Sequence, residues 1–313
     1  MVLLEPNETR FDLRWRMFGI PVRVHPMFWL VTLVMGEGAF RMGVAFLLIW
    51  VGCVFVSILI HELGHALTFL AFGVRSQIVL YGFGGLAIGG DQLDHRWQRI
   101  AVSAAGPVAG FLFLGLVFGA VWVREPATLP VYVAMTKRYI GWPIEQPPIR
   151  PAVNAKVHNE KAGGPNAAKH KDKDDDADDA PDAERKDIDR DMTRVYWMVA
   201  VFDLIFINLV WGLLNLLPVW PLDGGQISRE VCQGITPDHG LYVSLGISLV
   251  TAGILCLHCI LSMNGFPLLP LRFGSWYTAL LFGLLAWGSL QLLNQLHHSS
   301  ESDEPWHRED NWQ

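Results

Sequence analysis

The sequence predicts an all-α polytopic membrane protein of about six transmembrane helices, with a re-entrant β-hairpin after the second. Three observations carry that expectation. Of 313 residues, 51% are hydrophobic and 13 are Trp, a composition more apolar than that of an ordinary soluble domain. The apolar residues gather in runs long enough to cross a hydrocarbon layer of roughly 30 Å, which takes about 20 helical residues. The charges, summing to −6, collect in the polar stretches between those runs. No basic stripe is present, so no nucleic-acid partner is expected. Cys53, Cys232, Cys256 and Cys259 lie mostly within apolar runs and read as small buried hydrophobes, not as a disulfide framework.

Residues 1–23 read as a cytoplasmic N-terminal segment: Arg10, Arg14, Arg16 and Arg23 precede the first apolar run, and no cleavable signal pattern is visible. Residues 24–123 form a first membrane part. Its opening run, 24–35, is short for a span unless it starts near Ile20 and tilts, and Gly36-Glu37-Gly38 ends it. Residues 44–72 suffice for a complete second span. From Ser76 to Gly90 the pattern changes: Ile78-Val79-Leu80-Tyr81, the turn signal Gly82-Phe83-Gly84-Gly85, then Leu86-Ala87-Ile88. That is a hairpin, tolerated at membrane depth only where protein or a water-filled cavity covers it, and its edge could receive an extended peptide. Residues 96–123 hold a third span, whose Ala104-Ala105-Gly106-Pro107-Val108-Ala109-Gly110 reads as close helix packing.

Residues 124–194 read as an extramembrane insert. Its stretch at roughly 150–190, with Lys169-His170-Lys171-Asp172-Lys173-Asp174-Asp175-Asp176, lacks apolar periodicity and is expected to be a disordered loop. Residues 195–296 form the second membrane part, with spans at 195–217, 241–263 and 274–296, and 297–313 is a polar tail. The first of these spans breaks at Leu217-Pro218-Val219-Trp220-Pro221-Leu222-Asp223-Gly224-Gly225. Two prolines and two glycines interrupt a helix at membrane depth, where a carboxylate can point inward as a ligand.

Chemistry concentrates in His61-Glu62-Leu63-Gly64-His65, inside the second span. On a helix the two imidazoles are one turn apart on one face, about 5–6 Å between Cβ atoms, and reach one metal ion. Two histidines and a glutamate are costly in hydrocarbon, which argues for function there. Zinc held this way keeps a position for water, whose proton Glu62 can accept. A third ligand is required, and Asp91, Asp94 and Asp223 are the candidates. Context favours Asp223 in its broken membrane segment over Asp91 and Asp94 in what looks like a solvated loop. Cys256-Leu257-His258-Cys259 is half a zinc pattern at most and reads as packing. Asp203 is an intramembrane carboxylate with no assigned role.

These motifs resemble those of the site-2 proteases, zinc metalloproteases that cleave membrane-spanning substrates. The resemblance rests on His61-Glu62-Leu63-Gly64-His65, on Asn215-Leu216-Leu217-Pro218-Val219-Trp220-Pro221-Leu222-Asp223-Gly224-Gly225, on the Gly-rich hairpin and Ala-Gly-Pro segment between them, and on Val24-His25-Pro26. It covers about 20–125 and 195–230. It implies one Zn2+ per chain held by His61, His65 and Asp223, with Glu62 as general base. Trp220 stands where family members often have a smaller residue, which narrows access without removing a ligand. No PDZ or CBS module is evident, so the chain is similar to the compact members. Asn215 is a candidate for binding substrate backbone or the developing oxyanion, with an interhelical hydrogen bond as the alternative.

The expected partners are a transmembrane protein substrate and the lipid bilayer, and no sequence signal bears on oligomeric state. The expected location is the cell (inner) membrane with the N-terminus in the cytoplasm. With that orientation the second span runs inward and the fourth returns Asp223 to the cytoplasmic half, so both halves of the site meet. The alternative is a metal-binding membrane protein without proteolysis, a transport component or scaffold. Glu62 weighs against it, since holding zinc needs no carboxylate beside the open position.

Overall fold

A computed structural model describes residues 7–82, 84–88, 93–139, 180–269 and 274–302. Among these, five helices are long and apolar enough to cross a membrane: Val44–Ala71, Arg96–Arg124, Arg190–Asn215, Gly240–Met263 and Trp276–His298. The sixth expected span is not among them. The first apolar run forms helix α1 (Pro26–Met35), whose 10 residues extend only about 15 Å. Its start is set by His25, whose ring accepts the Met27 N–H at 3.1 Å while Pro26 takes the first position. The short α2 (Glu37–Met42) follows, and then α3 (Val44–Ala71), which carries the H-E-L-G-H motif.

The expected hairpin forms as β3 (Gln77–Tyr81) and β4 (Gly84–Ile88), paired antiparallel. It is not isolated. Part of the expected N-terminal segment, residues 1–23, folds with Val24 as a second hairpin, β1 (Leu13–Met17) and β2 (Ile20–Val24), making one sheet in the order β1-β2-β3-β4. The physical reason is an alternation in Leu13-Arg14-Trp15-Arg16-Met17, apolar on one face and cationic on the other. Phe18 and Gly19 close the hairpin with φ of 52° and 80°, the two positive values of a two-residue turn that matches strand twist. β2 runs parallel to β3, with Val22 opposite Ile78 and Val24 opposite Leu80. These four side chains are fully buried with Phe28, Ile58 and Leu59. The sheet thus packs on the helix that carries the metal motif.

The third span, α4 (Arg96–Arg124), is entered through a capping box in which Gln98 accepts the His95 N–H at 3.2 Å. α5 (Leu129–Tyr139) and the beginning of α6 (Ala180–Asn215) lie inside the stretch assigned to the insert, so its ends are helical. The core of the expected loop, residues 140–179, lies outside the described residues. Asn208 on α6 donates to Ser57 Oγ on α3 at 2.9 Å, a buried tie between the two spans. After the break, α7 (Asp223–Ile235) starts on Asp223 itself, followed by α8 (Gly240–Met263) and α9 (Trp276–Ser302). Of the polar tail, 303–313 lies outside the described residues.

Candidate metal centre

His61, Glu62 and His65 sit in the second half of α3, all nearly inaccessible to solvent at 3, 4 and 6% exposure. Asp223 reaches them from the first turn of α7. His61 Nε2 lies 3.1 Å from Asp223 Oδ2 and 3.1 Å from His65 Nε2, and His65 Nε2 lies 3.4 Å from Asp223 Oδ1. These three residues offer ligand atoms within 4.8 Å of one another. A tetrahedral zinc with bonds of about 2.0–2.1 Å spaces its ligand atoms about 3.3 Å apart, so the spacing and the N, N, O donor set both fit zinc. His65 Nδ1 lies 2.7 Å from the Val102 carbonyl on α4. Its N–H donates there, leaving the Nε2 lone pair toward the cluster.

Two glycines make this approach possible. Gly64, inside the motif, faces α4: a β-carbon there would collide with the Ala105 carbonyl and lie 2.8 Å from Ala109 Cβ. Gly106 faces back: a β-carbon there would collide with His65 Nε2 and lie 2.7 Å from His61 Nε2. The Ala-Gly-Pro segment is therefore packing, as its composition suggests, but the packing is against the imidazoles themselves. It leaves open the volume beside the two ring nitrogens, where an ion would sit.

Glu62 turns from the two histidines toward β4. A β-carbon at Gly85 would collide with Glu62 Cγ, Cδ and Oε1, so the carboxylate lies directly against this strand. Gly85 was legible in sequence only as a turn residue.

The structure thus brings together His61, His65 and Asp223, with Glu62 beside them. Asn215 is buried at the end of α6, and among the described residues no hydrogen bond joins its side chain to this group. Asp94 is exposed and apart from the cluster, and Asp91 lies outside the described residues. Trp220 has its ring 5.5 Å from the Arg229 guanidinium. Cys256 donates to the Ala279 carbonyl on α9 at 3.3 Å, a packing role. Asp203 is buried on α6.

Residues 49–255 match the sequence model of peptidase family M50. The chain is 40% identical over 113 residues to a protein of Synechocystis sp. named as a zinc metalloprotease, covering 32% of this chain and 30% of that one. It is 22% identical over 255 residues to a zinc metalloprotease of Methanocaldococcus jannaschii, covering 80% of this chain and 54% of that one. The chain therefore spans less than two thirds of the length of either relative. Among solved structures it is similar to the site-2 protease from Methanocaldococcus jannaschii, with a TM-score of 0.45 and 19% identity over 90% of this chain and 95% of that one.

Proposed function

Because the chain belongs to peptidase family M50, we propose that it is an intramembrane zinc endopeptidase, hydrolysing peptide bonds in or near the transmembrane segments of membrane-protein substrates. The observation that carries this proposal is the convergence of His61, His65 and Asp223 from two separate helices, with the Glu62 carboxylate one residue from the first ligand and against a strand edge. A scaffold that only stores zinc has no use for that fourth group.

His61 Nε2, His65 Nε2 and an Asp223 carboxylate oxygen would hold the ion. Zinc bound there supplies Lewis acidity, which lowers the pKa of water and polarises a carbonyl oxygen. Glu62 accepts the proton of the attacking water on its carboxylate and delivers it to the leaving amide nitrogen.

β4 supports a mode of substrate binding. Among the described residues it pairs only with β3, so no described strand covers its other edge. In an antiparallel pair successive residues alternate in direction. Half of the β4 amides and carbonyls therefore face away from β3, and the Glu62 side chain lies against the strand at Gly85. An extended substrate segment adding along this edge lies beside the general base. A helical amide is shielded by its own hydrogen bonding, so the substrate unwinds locally before cleavage. Asn215 is assigned to substrate backbone or the developing oxyanion. The arginines of the N-terminal segment support a cytoplasmic N-terminus, in a protein we assign to the cell (inner) membrane.

The test compares wild type with Glu62→Gln on a panel of single-span peptides in detergent, with zinc content measured in parallel. The proposal expects equal zinc and cleavage by wild type alone. Cutting by Glu62→Gln at the wild-type rate refutes the role of Glu62. Zinc in both proteins with no cleavage by either favours the transport or scaffold alternative.

A further inference from the structure

The break between α6 and α7 places Asp223, and it does so at membrane depth, where every backbone N–H needs a partner inside the protein. The segment can be accounted for residue by residue. Leu216 N–H donates to Gly212 and Leu213 carbonyls, Leu217 N–H to Leu214, Val219 N–H to Leu217 and Leu222 N–H to Val219. Pro218 and Pro221 have no N–H to satisfy. Trp220 remains. Its N–H donates at 2.8 Å to Ser248 Oγ, on α8. It is the one amide of this turn whose partner comes from another helix among the described residues.

Ser248 is in turn held. Its Oγ lies 2.7 Å from Ser289 Oγ on α9, and Ser289 donates to the Leu285 carbonyl at 3.0 Å. Since the Ser289 proton goes to Leu285, the Ser248 proton goes to Ser289. The chain of donors therefore runs in one direction, Trp220 N–H to Ser248 to Ser289 to Leu285, and every member is satisfied. Both serines are shut away from solvent, at 1 and 0% exposure. Such a closed polar chain fixes geometry, whereas a broken one leaves a buried donor without a partner.

From this we propose that Ser248 is a positioning residue for the metal centre, with Ser289 as its support. The pair ties the Trp220 turn to the α8–α9 hairpin and so fixes where Asp223 meets His61 and His65. The last helix, which lies beyond the matched family region of 49–255, thereby becomes part of the site's framework. This inference rests on the assignment of Asp223 as a ligand.

Zinc affinity of the full-length protein in detergent, read by competition with a chromogenic chelator, tests it without reference to activity. Ser248→Ala should weaken zinc binding by about 10- to 100-fold, the range for residues that support metal ligands. Ser289→Ala should weaken it less, because Ser248 still accepts from Trp220. Ser244→Ala is the control: its hydroxyl is also buried on α8 but bonds the Leu241 carbonyl of its own helix, so it should leave affinity unchanged. Asp223→Asn separates the two assignments. If it fails to lower affinity, the ligand assignment is wrong. If it lowers affinity while Ser248→Ala binds zinc as tightly as wild type, the positioning role is overturned. An equal loss in Ser244→Ala and Ser248→Ala also overturns it, because the effect then reports general damage to α8.

Discussion

Gly106→Ala is the sharpest single perturbation of the centre. A methyl there would stand 2.7 Å from His61 Nε2 and closer still to His65 Nε2. Non-bonded heavy atoms prefer about 3.5 Å, so His61 Nε2 must retreat by about 0.8 Å. Metal–ligand distances tolerate about 0.2 Å, so the retreat exceeds what bound zinc can absorb. A loss of at least about 100-fold in zinc affinity follows, or about 2.8 kcal/mol at 1.4 kcal/mol per tenfold. The same substitution favours the α4 helix itself by up to about 1 kcal/mol. The methyl meets the imidazoles with or without zinc, and overpacking of this kind costs about 1–3 kcal/mol, so the metal-free variant should unfold somewhat more readily than the metal-free wild type while chelator competition shows weakened zinc binding by the folded protein. Wild-type zinc affinity in Gly106→Ala would refute the placement of α4 against the imidazoles.

Gly85→Ala should retain zinc but lower kcat by about 10- to 1,000-fold, since the added methyl displaces the Glu62 carboxylate and misplacing a catalytic group by about 1 Å costs on that order. Steady-state cleavage together with metal analysis separates it from Gly106→Ala. Asn208→Leu removes the hydrogen bond to Ser57 and should cost about 0.6–1.7 kcal/mol in mixed-micelle unfolding, as for other interhelical pairs, with zinc affinity nearly unchanged. At the N-terminal hairpin, burial raises the Asp12 pKa but the Thr9 hydrogen bonds and Arg23 outweigh it, leaving it at about 2 instead of 3.8. A lowered carboxyl pKa stabilises above the unfolded value and loses that contribution as pH falls from about 3.8 toward 2. Hydrogen exchange across β1 and β2, corrected for intrinsic rates, should therefore quicken over that window in wild type and stay flat in Asp12→Asn.

Much of this arrangement is legible in the chain because hydrocarbon is an unforgiving solvent. Runs such as 44–72 announce themselves by length, and His61, Glu62 and His65 stand out because their burial there is costly. Asp223 could be preferred over Asp91 and Asp94 because the prolines and glycines around it mark a break that must be lined by protein. What was not legible depended on contacts between distant segments. Leu13-Arg14-Trp15-Arg16-Met17 carries a period of two, but its arginines read equally as a polar N-terminal segment, and only the pairing of β2 with β3 makes it a strand of a larger sheet. Gly106 belongs to a small-residue run whose sequence specifies close packing and not the partner, and nothing in the chain places it against His65. The first apolar run, short for a span by its length in sequence, is helical over 10 residues and ends at Gly36.

The most direct measurement is zinc-edge X-ray absorption on the purified wild type and Asp223→Asn, with metal stoichiometry. The assignment predicts one zinc per wild-type chain, nitrogen and oxygen neighbours at about 2.0–2.1 Å with the scattering of two imidazoles, and marked loss of zinc in Asp223→Asn. A sulfur neighbour at about 2.3 Å, which would place the metal at Cys256 and Cys259, or full zinc occupancy with unchanged coordination in Asp223→Asn, would contradict it.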